Sequence, residues 1–382
     1  MKRFLLRTAS YVLVAALASA MTLAADYVLT DHKLPQLQGL LSSCFVGEVD
    51  EKTLSDAAAK GMVEALEDRW SYYQTAEEYQ LYQDTMSNSY VGIGVTIELA
   101  GDDQGINITQ VTDGSPAQEA GVQPGDRLVQ VDGQSILGMT TKQVAQLVRG
   151  EEGKTIALTL VRQEQELTLE VLRKRMEKAV ATGVLLEGQV GLITIENFDD
   201  RCAQETIETI EQLRQQGAQA LIFDVRNNPG GYRHELVKLL DYLLPEGPLF
   251  RTVDYQGTEN VDRSDTKFLD MPMAVLVNLR SYSAAEFFAA ALEEYDAAII
   301  IGEKTYGKGY FQNTFELEDG SAVTLSVGKY YTPNGVSLAG VGLTPEVEIS
   351  LDQETAAKVA AHTLAPEEDP HVQAAVNALK TP

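Results

Sequence analysis

Positive charge is scarce in this chain. Lys and Arg total 30 against 56 Asp and Glu in 382 residues, a formal net charge of −26. Binding phosphate backbones needs clustered Lys and Arg, so nucleic acid is not an expected partner. The acidity fits a soluble surface instead. Cysteine occurs only as Cys44 and Cys202. They fall in segments that read as different domains, so free, partly buried thiols are expected rather than a disulfide. Histidine is also rare, with four in all. His234-Glu235-Leu236-Val237-Lys238 begins like the HExxH zinc motif but lacks its second His, so no metal site is expected. With 44% hydrophobic and 23% charged residues the chain reads as globular, and its length suits two or three domains.

The start has a character of its own. Met1-Lys2-Arg3 and Arg7 precede an uncharged stretch from Ala9 to Ala25, with Ala18-Ser19-Ala20 as a small-residue cleavage pattern. Residues 1–25 therefore read as an export signal, either cleaved or retained as a membrane anchor. The expected location is extracytoplasmic, in the cell envelope. Residues 26–89 read as helical: Leu37–Val46, Thr53–Glu67 and, after a break at Asp68–Tyr73, Thr75–Met86.

The chain is organised around residues 273–312. An apolar strand, Met273–Val277, leads through a short polar turn to Ser283, which opens an Ala- and Phe-rich helix. A second apolar strand, Ala297–Ile301, is followed by a glycine turn and Lys308. Serine at a helix start can be a plain N-cap. It can also be a nucleophile, because the first-turn amides have no internal partner and can hold an oxyanion. Lys308 lies between Gly307 and Gly309 in a base-poor chain. A buried lysine loses affinity for its proton and can act as a general base. Alternation along an extended segment would put Lys308, Tyr310 and Gln312 on one face, with Gln312 steadying the amine. Serine with a neutral lysine is a known nucleophile–base pair.

Ser281-Tyr282-Ser283-Ala284-Ala285-Glu286, followed by Gly302-Glu303-Lys304-Thr305-Tyr306-Gly307-Lys308-Gly309-Tyr310-Phe311-Gln312, resembles the carboxyl-terminal processing peptidases, or tail-specific proteases. The resemblance runs over roughly residues 27–380. It implies Ser283 as nucleophile, Lys308 as base and Gln312 as the residue that orients the base. Ala285 and Lys304 stand where relatives often have Ser and Pro; neither change removes a catalytic group. Asn228-Pro229-Gly230-Gly231 follows the strand Ala220–Val225 and precedes the helix Arg233–Leu244. In the family this loop gives one oxyanion donor, which carries over to Gly230 or Gly231, with the Ala284 amide as the other. Taken alone it would read as an ordinary turn. Lys329-Tyr330-Tyr331-Thr332-Pro333 and Gly340-Val341-Gly342-Leu343-Thr344-Pro345 match the family as well.

Residues 90–172 resemble a PDZ domain along their length. Strands are expected at Val95–Leu99, Ile106–Val111, Leu128–Val131, Thr155–Arg162 and Glu166–Val171, with a helix at Thr141–Val148. Such modules add a peptide as an extra strand and hold its terminal carboxylate on glycine-loop amides. Those positions fall on Gly92, Ile93 and Gly94, with Val144, Leu147 and Val148 as apolar lining of the groove.

The expected fold is multidomain, α+β to α/β: a helical N-terminal arm (26–89), a β-sandwich-like PDZ module (90–172), a layered α/β serine peptidase core (173–350) and a C-terminal helical segment (351–382). Arg173-Lys174-Arg175 reads as a solvated linker. The expected activity is that of an exported serine endopeptidase acting on proteins with exposed C-terminal tails. No metal or organic cofactor is called for, and the family's helical arm implies a homodimer. The alternative is an inert PDZ scaffold of the cell envelope, against which stands the presence of Ser283, Lys308 and Gln312 together. His234 reads as a solvated or capping residue, Ser326-Val327-Gly328-Lys329 as a chance match to the Ser-x-x-Lys motif, and Glu294 as structural.

Overall fold

The computed structural model describes residues 33–100 and 105–380. The expected export signal at residues 1–25 lies outside the described residues. The chain divides into two units, one ending at Glu67 and one starting at Asp68.

In the first unit the described elements are α1 (Lys33–Cys44) and α2 (Glu51–Glu64). Asp50 caps α2, its carboxylate accepting the Lys52 N–H. Neither helix buries a residue.

The second unit opens with the short strand β1 (Tyr72–Gln74) and α3 (Ala76–Met86). Next come β2 (Ser89–Gly92), β3 (Val95–Leu99), β4 (Ile106–Val111), α4 (Pro116–Glu119), β5 (Arg127–Val131), β6 (Gln134–Ser135), α5 (Thr141–Val148), β7 (Thr155–Arg162) and β8 (Gln165–Leu172). Strands β3 to β8 form one antiparallel sheet in the order β3-β4-β5-β7-β8, with β6 beside β5. The expected strands fall within a residue or so of these bounds, because Gly/Pro turns separate alternating apolar runs. The sheet's apolar face closes on Val144 and Val148 of α5 around Ile106, Ile156, Leu158 and Leu160.

Strand β9 (Lys174–Glu177) pairs antiparallel with β2 and joins this module to the core. The Arg-Lys-Arg run is therefore structural, not a solvated linker. Arg173 is buried, and its guanidinium donates to Val148 O at 2.7 Å, Thr155 O at 3.2 Å and Leu147 O at 3.4 Å. The last carbonyls of a helix have no internal partner, and a cation at that end also meets the negative pole of the dipole.

The core sheet takes β10 (Ala181–Leu186), β11 (Val190–Ile195), β12 (Ala220–Asp224), β15 (Met273–Val277), β16 (Ala298–Gly302) and β19 (Val347–Glu348), in that order. From β11 to β19 neighbouring strands are parallel. Between β11 and β12 lies α6 (Cys202–Gln215); α7 (Arg233–Leu243) follows β12, with the hairpin β13 (Gly247–Asp254) and β14 (Glu259–Ser264) after it. Alternation divides the strands between two cores. Leu221, Phe223, Met273, Val275 and Val277 face a large cluster with α6, α7 and α8 (Ala284–Glu294). Ala220, Ile222, Ala274 and Leu276 face a smaller one with Val372, Ala375 and Val376. The latter three belong to α10 (Pro370–Lys380), which follows α9 (Gln353–Ala360). Helix α8 buries nine of its residues, so its all-round apolar character marks a central helix. A second sheet packs beside this core. Its long strand β18 (Ala322–Tyr331) pairs with β17 (Tyr310–Glu316), β1 and β13.

Candidate active site

Two loops meet at the carboxyl ends of the adjacent parallel strands β12 and β15, where open α/β sheets present their clefts. Side chains stitch them together. The buried Ser281 hydroxyl donates to Val225 O at 2.7 Å, Asn278 Oδ1 accepts the Asn227 N–H at 3.0 Å, and the Tyr282 N–H reaches Asn228 O at 3.2 Å. The loop that carries Ser283 is thereby fixed to the loop that carries Gly230.

Ser283 sits in the turn from β15 into α8 with φ 59° and ψ −127°. That is the left-handed side of the map, which costs a non-glycine residue of order 1–3 kcal/mol and is retained where the surroundings over-determine it. A strained serine between a strand and a helix is the geometry that exposes a nucleophile. The Ser283 Oγ does not act as a helix cap: the Glu286 N–H goes to the Ser283 carbonyl at 2.9 Å. Instead Oγ accepts the Tyr330 hydroxyl at 3.1 Å. Tyr330 is buried against the rings of Phe250, Phe287 and Phe311, and burial holds its phenol protonated as a donor.

Gly230 lies against Ser283. A Cβ there would stand 2.7 Å from Ser283 Cβ and 2.9 Å from Ala284 N, and its φ of 86° also favours glycine. Its own N–H, however, is taken by Asn228 Oδ1 at 2.8 Å, so Gly230 is not a free oxyanion donor as expected. The asparagine two residues back closes a tight turn on it. The Gly231 amide has no hydrogen-bond partner among the described residues. The Ala284 amide opens α8, where helix geometry leaves it no internal partner. These two amides are left without a backbone partner among the described residues.

Lys308 precedes β17 in an irregular segment. Its N–H donates to Glu286 Oε2 at 2.9 Å, and the Gly307 N–H donates to Oε1 at 2.6 Å. The same carboxylate accepts Ser283 N–H at 3.0 Å and the Thr305 hydroxyl at 2.6 Å. Glu286 thus ties the serine turn to the lysine loop, a role sequence reasoning missed although the residue stood in the motif. Burial pushes its carboxyl up from the usual range, while its four donors oppose that shift.

The Lys308 side chain is mostly enclosed. Burial pushes its amine down to about 8, with Glu286 and then Asp68 pulling the other way. Nζ stands 4.7 Å from the ring centroid of Trp70 and makes no hydrogen bond or ion pair among the described residues. Gln312 does not steady it. The carboxamide donates to Tyr310 O at 3.0 Å and Ser326 Oγ at 3.2 Å. Alternation fails here for two reasons: Lys308 is outside the strand, and the β17–β18 register shifts between Phe311 and Gln312.

The other candidates separate cleanly. His234 is exposed, bonded to Asp200 at 3.1 Å and stacked on Tyr232. Glu294 accepts from Thr332 Oγ1 and from the Asn334 N–H at 2.7 Å, holding the end of α8 to a turn, a structural role as expected. Ser326 and Lys329 lie on β18, not on a helix. Both cysteines are free, Cys44 exposed and Cys202 buried. Among the described residues no cluster of three or more metal-ligating side chains occurs.

In the antiparallel module a cavity of about 560 Å³ opens between β3 and α5. Gly92, Ile93, Gly94 and Val148 are among the residues that line it. Val144 and Leu147 do not: Val144 is fully buried in the module's core, and Leu147 packs against that core. Helical spacing turns Ala145, Val148 and Arg149 to the cavity instead.

Comparison with known proteins accords with this division. Residues 189–349 match peptidase family S41, and residues 108–162 match the PDZ domain. A Staphylococcus haemolyticus protein named "Probable CtpA-like serine protease" is 34% identical over 304 residues, covering 78% of this chain and 61% of the relative. A Staphylococcus aureus protein of the same name is 33% identical over 322 residues, covering 83% and 64%. The chain thus spans less than two thirds of the length of these relatives. A solved Bacteroides fragilis structure described as a "Putative S41 protease" shares the fold, with a TM-score of 0.53, 18% identity, and coverage of 87% of this chain and 92% of that one.

Proposed function

We propose that this chain, with its family S41 peptidase core and PDZ domain, is an exported serine endopeptidase that takes proteins by their carboxyl-terminal tails and cuts them with a Ser–Lys pair. The observation that carries the reading is Ser283 in strained geometry at the head of α8, with the Gly230–Gly231 loop pressed against it. In the reaction Lys308 Nζ, as the neutral amine, takes the Ser283 hydroxyl proton while Oγ attacks the scissile carbonyl. The Ala284 and Gly231 amides stabilise the oxyanion, and Tyr330 holds Oγ in place beforehand. Collapse of the tetrahedral intermediate breaks the C–N bond, and the Lys308 ammonium protonates the leaving amine. Water, deprotonated by the same lysine, then releases the acyl group and restores the serine.

A peptide added along β3 would lay its side chains in the cavity under α5 and its terminal carboxylate at Gly92–Gly94. Export is proposed from the sequence of residues 1–25 and a homodimer from the family's helical arm.

The test is cleavage of a protein bearing an apolar, unstructured tail by the full chain and by Ser283→Ala, Lys308→Ala and His234→Ala. Loss in the first two with His234→Ala active supports the proposal. Normal cleavage by Lys308→Ala would overturn the base assignment. Tail binding without cleavage by the unmutated chain would favour the inert scaffold.

A further inference from the structure

The segment that runs from Asp68 into β1 crosses the site that holds Lys308. Asp68 opens it by accepting the Ser71 hydroxyl at 2.6 Å and the Trp70 N–H at 3.1 Å. Ser71 Oγ in turn accepts the Ser326 N–H at 3.0 Å, and β1 continues the pairing on β18 from Tyr72↔Thr324 to Gln74↔Ala322. Ser326 is also the residue that holds Gln312. The strap is therefore fastened to the same strand that presents Tyr330 to Ser283. Between its fastenings it places the chain's only tryptophan against the lysine, with Lys308 Nζ 4.7 Å from the ring centroid. Trp70 meets Tyr306 edge-on at 5.6 Å, and the Arg69 guanidinium lies 4.8 Å from the Trp70 ring.

We propose that Trp70 is a positioning residue for Lys308: its ring holds the lysine's amine in the resting site, and release from that ring delivers the neutral amine to Ser283. The proposal rests on the Ser–Lys reading above. An aromatic face attracts an ammonium and does not attract a neutral amine to the same degree, so the contact favours the charged, resting form. The charged groups that act on Lys308 are Glu286 from α8 and Asp68 from the strap. Arg69 lies over the Trp70 and Tyr306 rings, and the Tyr330 hydroxyl is given to Ser283. Glu286 and Asp68 favour the ammonium as Trp70 does, while burial opposes it. Losing the proton weakens the ring contact and exposes the lone pair that the serine needs, in one step.

A single tryptophan permits a test that leaves the packing in place. The full chain is grown with 5-fluorotryptophan and then with a difluorinated analogue, which weaken the ring's negative face stepwise. The readouts are the pH profile of β-casein cleavage and the titration of Lys308 by ¹³C NMR of labelled lysines, assigned with Lys308→Ala. The acidic limb and the NMR midpoint should both move to lower pH with each fluorine, by about half a unit to one unit over the series. Trp70→Leu should move them at least as far, and Trp70→Phe should lie between Trp70→Leu and the unmodified chain. The change should fall in kcat rather than KM. An unchanged midpoint across the fluorinated chains, or an acidic limb in Trp70→Phe that matches Trp70→Leu, would overturn the proposal. If the unmodified chain fails to cut casein, the Ser–Lys reading loses its support while the NMR titration still decides the role of Trp70.

Discussion

The serine side and the lysine side of this site are built differently. Ser283 is over-determined. Its backbone is held by Glu286 and its hydroxyl by Tyr330, while its turn is stitched to the neighbouring loop by Ser281, Asn278 and Asn228. Among the described residues Lys308 is hydrogen-bonded at its backbone, through Glu286, and its amine rests on an aromatic ring. A strained conformation needs many restraints to persist, whereas a base that must change charge in every turnover gains from having few. On the Ser–Lys reading proposed above, the serine is preorganised and the lysine is the less restrained partner.

The comparison breaks most sharply at the nucleophile. Ser283→Gly should abolish cleavage, by at least about a thousandfold. It should also raise stability by about 1 kcal/mol, because glycine accepts the positive φ without strain. A melting temperature that falls in this variant would show that the turn is not strained. Gly230→Ala should come next. The added methyl meets Ser283 Cβ and the Ala284 amide, so cleavage should collapse and stability drop by about 1–3 kcal/mol in chemical denaturation.

On the lysine side the effect on stability should have the opposite sign. Lys308→Met should lose cleavage yet stabilise the fold at neutral pH by about 2 kcal/mol, since an enclosed amine with a lowered proton affinity is costly when charged. Burial pushes the folded Lys308 amine down to about 8 from its ordinary 10.5. Between those values the unfolded chain binds more protons, so wild-type stability should rise with pH there and the methionine variant's advantage should shrink. Denaturant midpoints across that window give the answer. Glu286→Gln touches both sides at once. Loss of its charge should move the acidic limb of cleavage to lower pH, because Glu286 holds the proton on Lys308. A limb that moves upward would contradict the electrostatic account. The smallest effect belongs to the PDZ groove: Ala145→Trp should weaken capture of an apolar tail peptide about tenfold in calorimetry while leaving the serine site intact.

Much of the architecture was legible in local pattern. The PDZ strands and the core strands β11, β12 and β15 announced themselves through alternation, apolar runs and glycine turns, and Ser283 and Lys308 through their neighbours. What sequence hid was long-range. The hairpin β13–β14 carries polar residues such as Arg251, Asp254, Asp262 and Arg263, which no period-2 pattern reveals. The turn that takes the Gly230 amide and the bulge that turns Gln312 away are set by geometry and not by residue type. Trp70 reaches the site because β1, which follows it, pairs with β18, and Tyr330 because β18 also pairs with β13. Arg173 looked like solvent-exposed charge because a helix end that needs capping is invisible until the helix is placed.

The most direct test of the Ser–Lys account is the rate of β-casein cleavage from about pH 6 to about pH 10, a span that brackets the lowered lysine value, for the full chain and for Lys308→Ala and His234→Ala. The account predicts a rise centred near 8, kept in His234→Ala and absent with Lys308→Ala. A profile that rises near the ordinary histidine value and disappears with His234→Ala would contradict it.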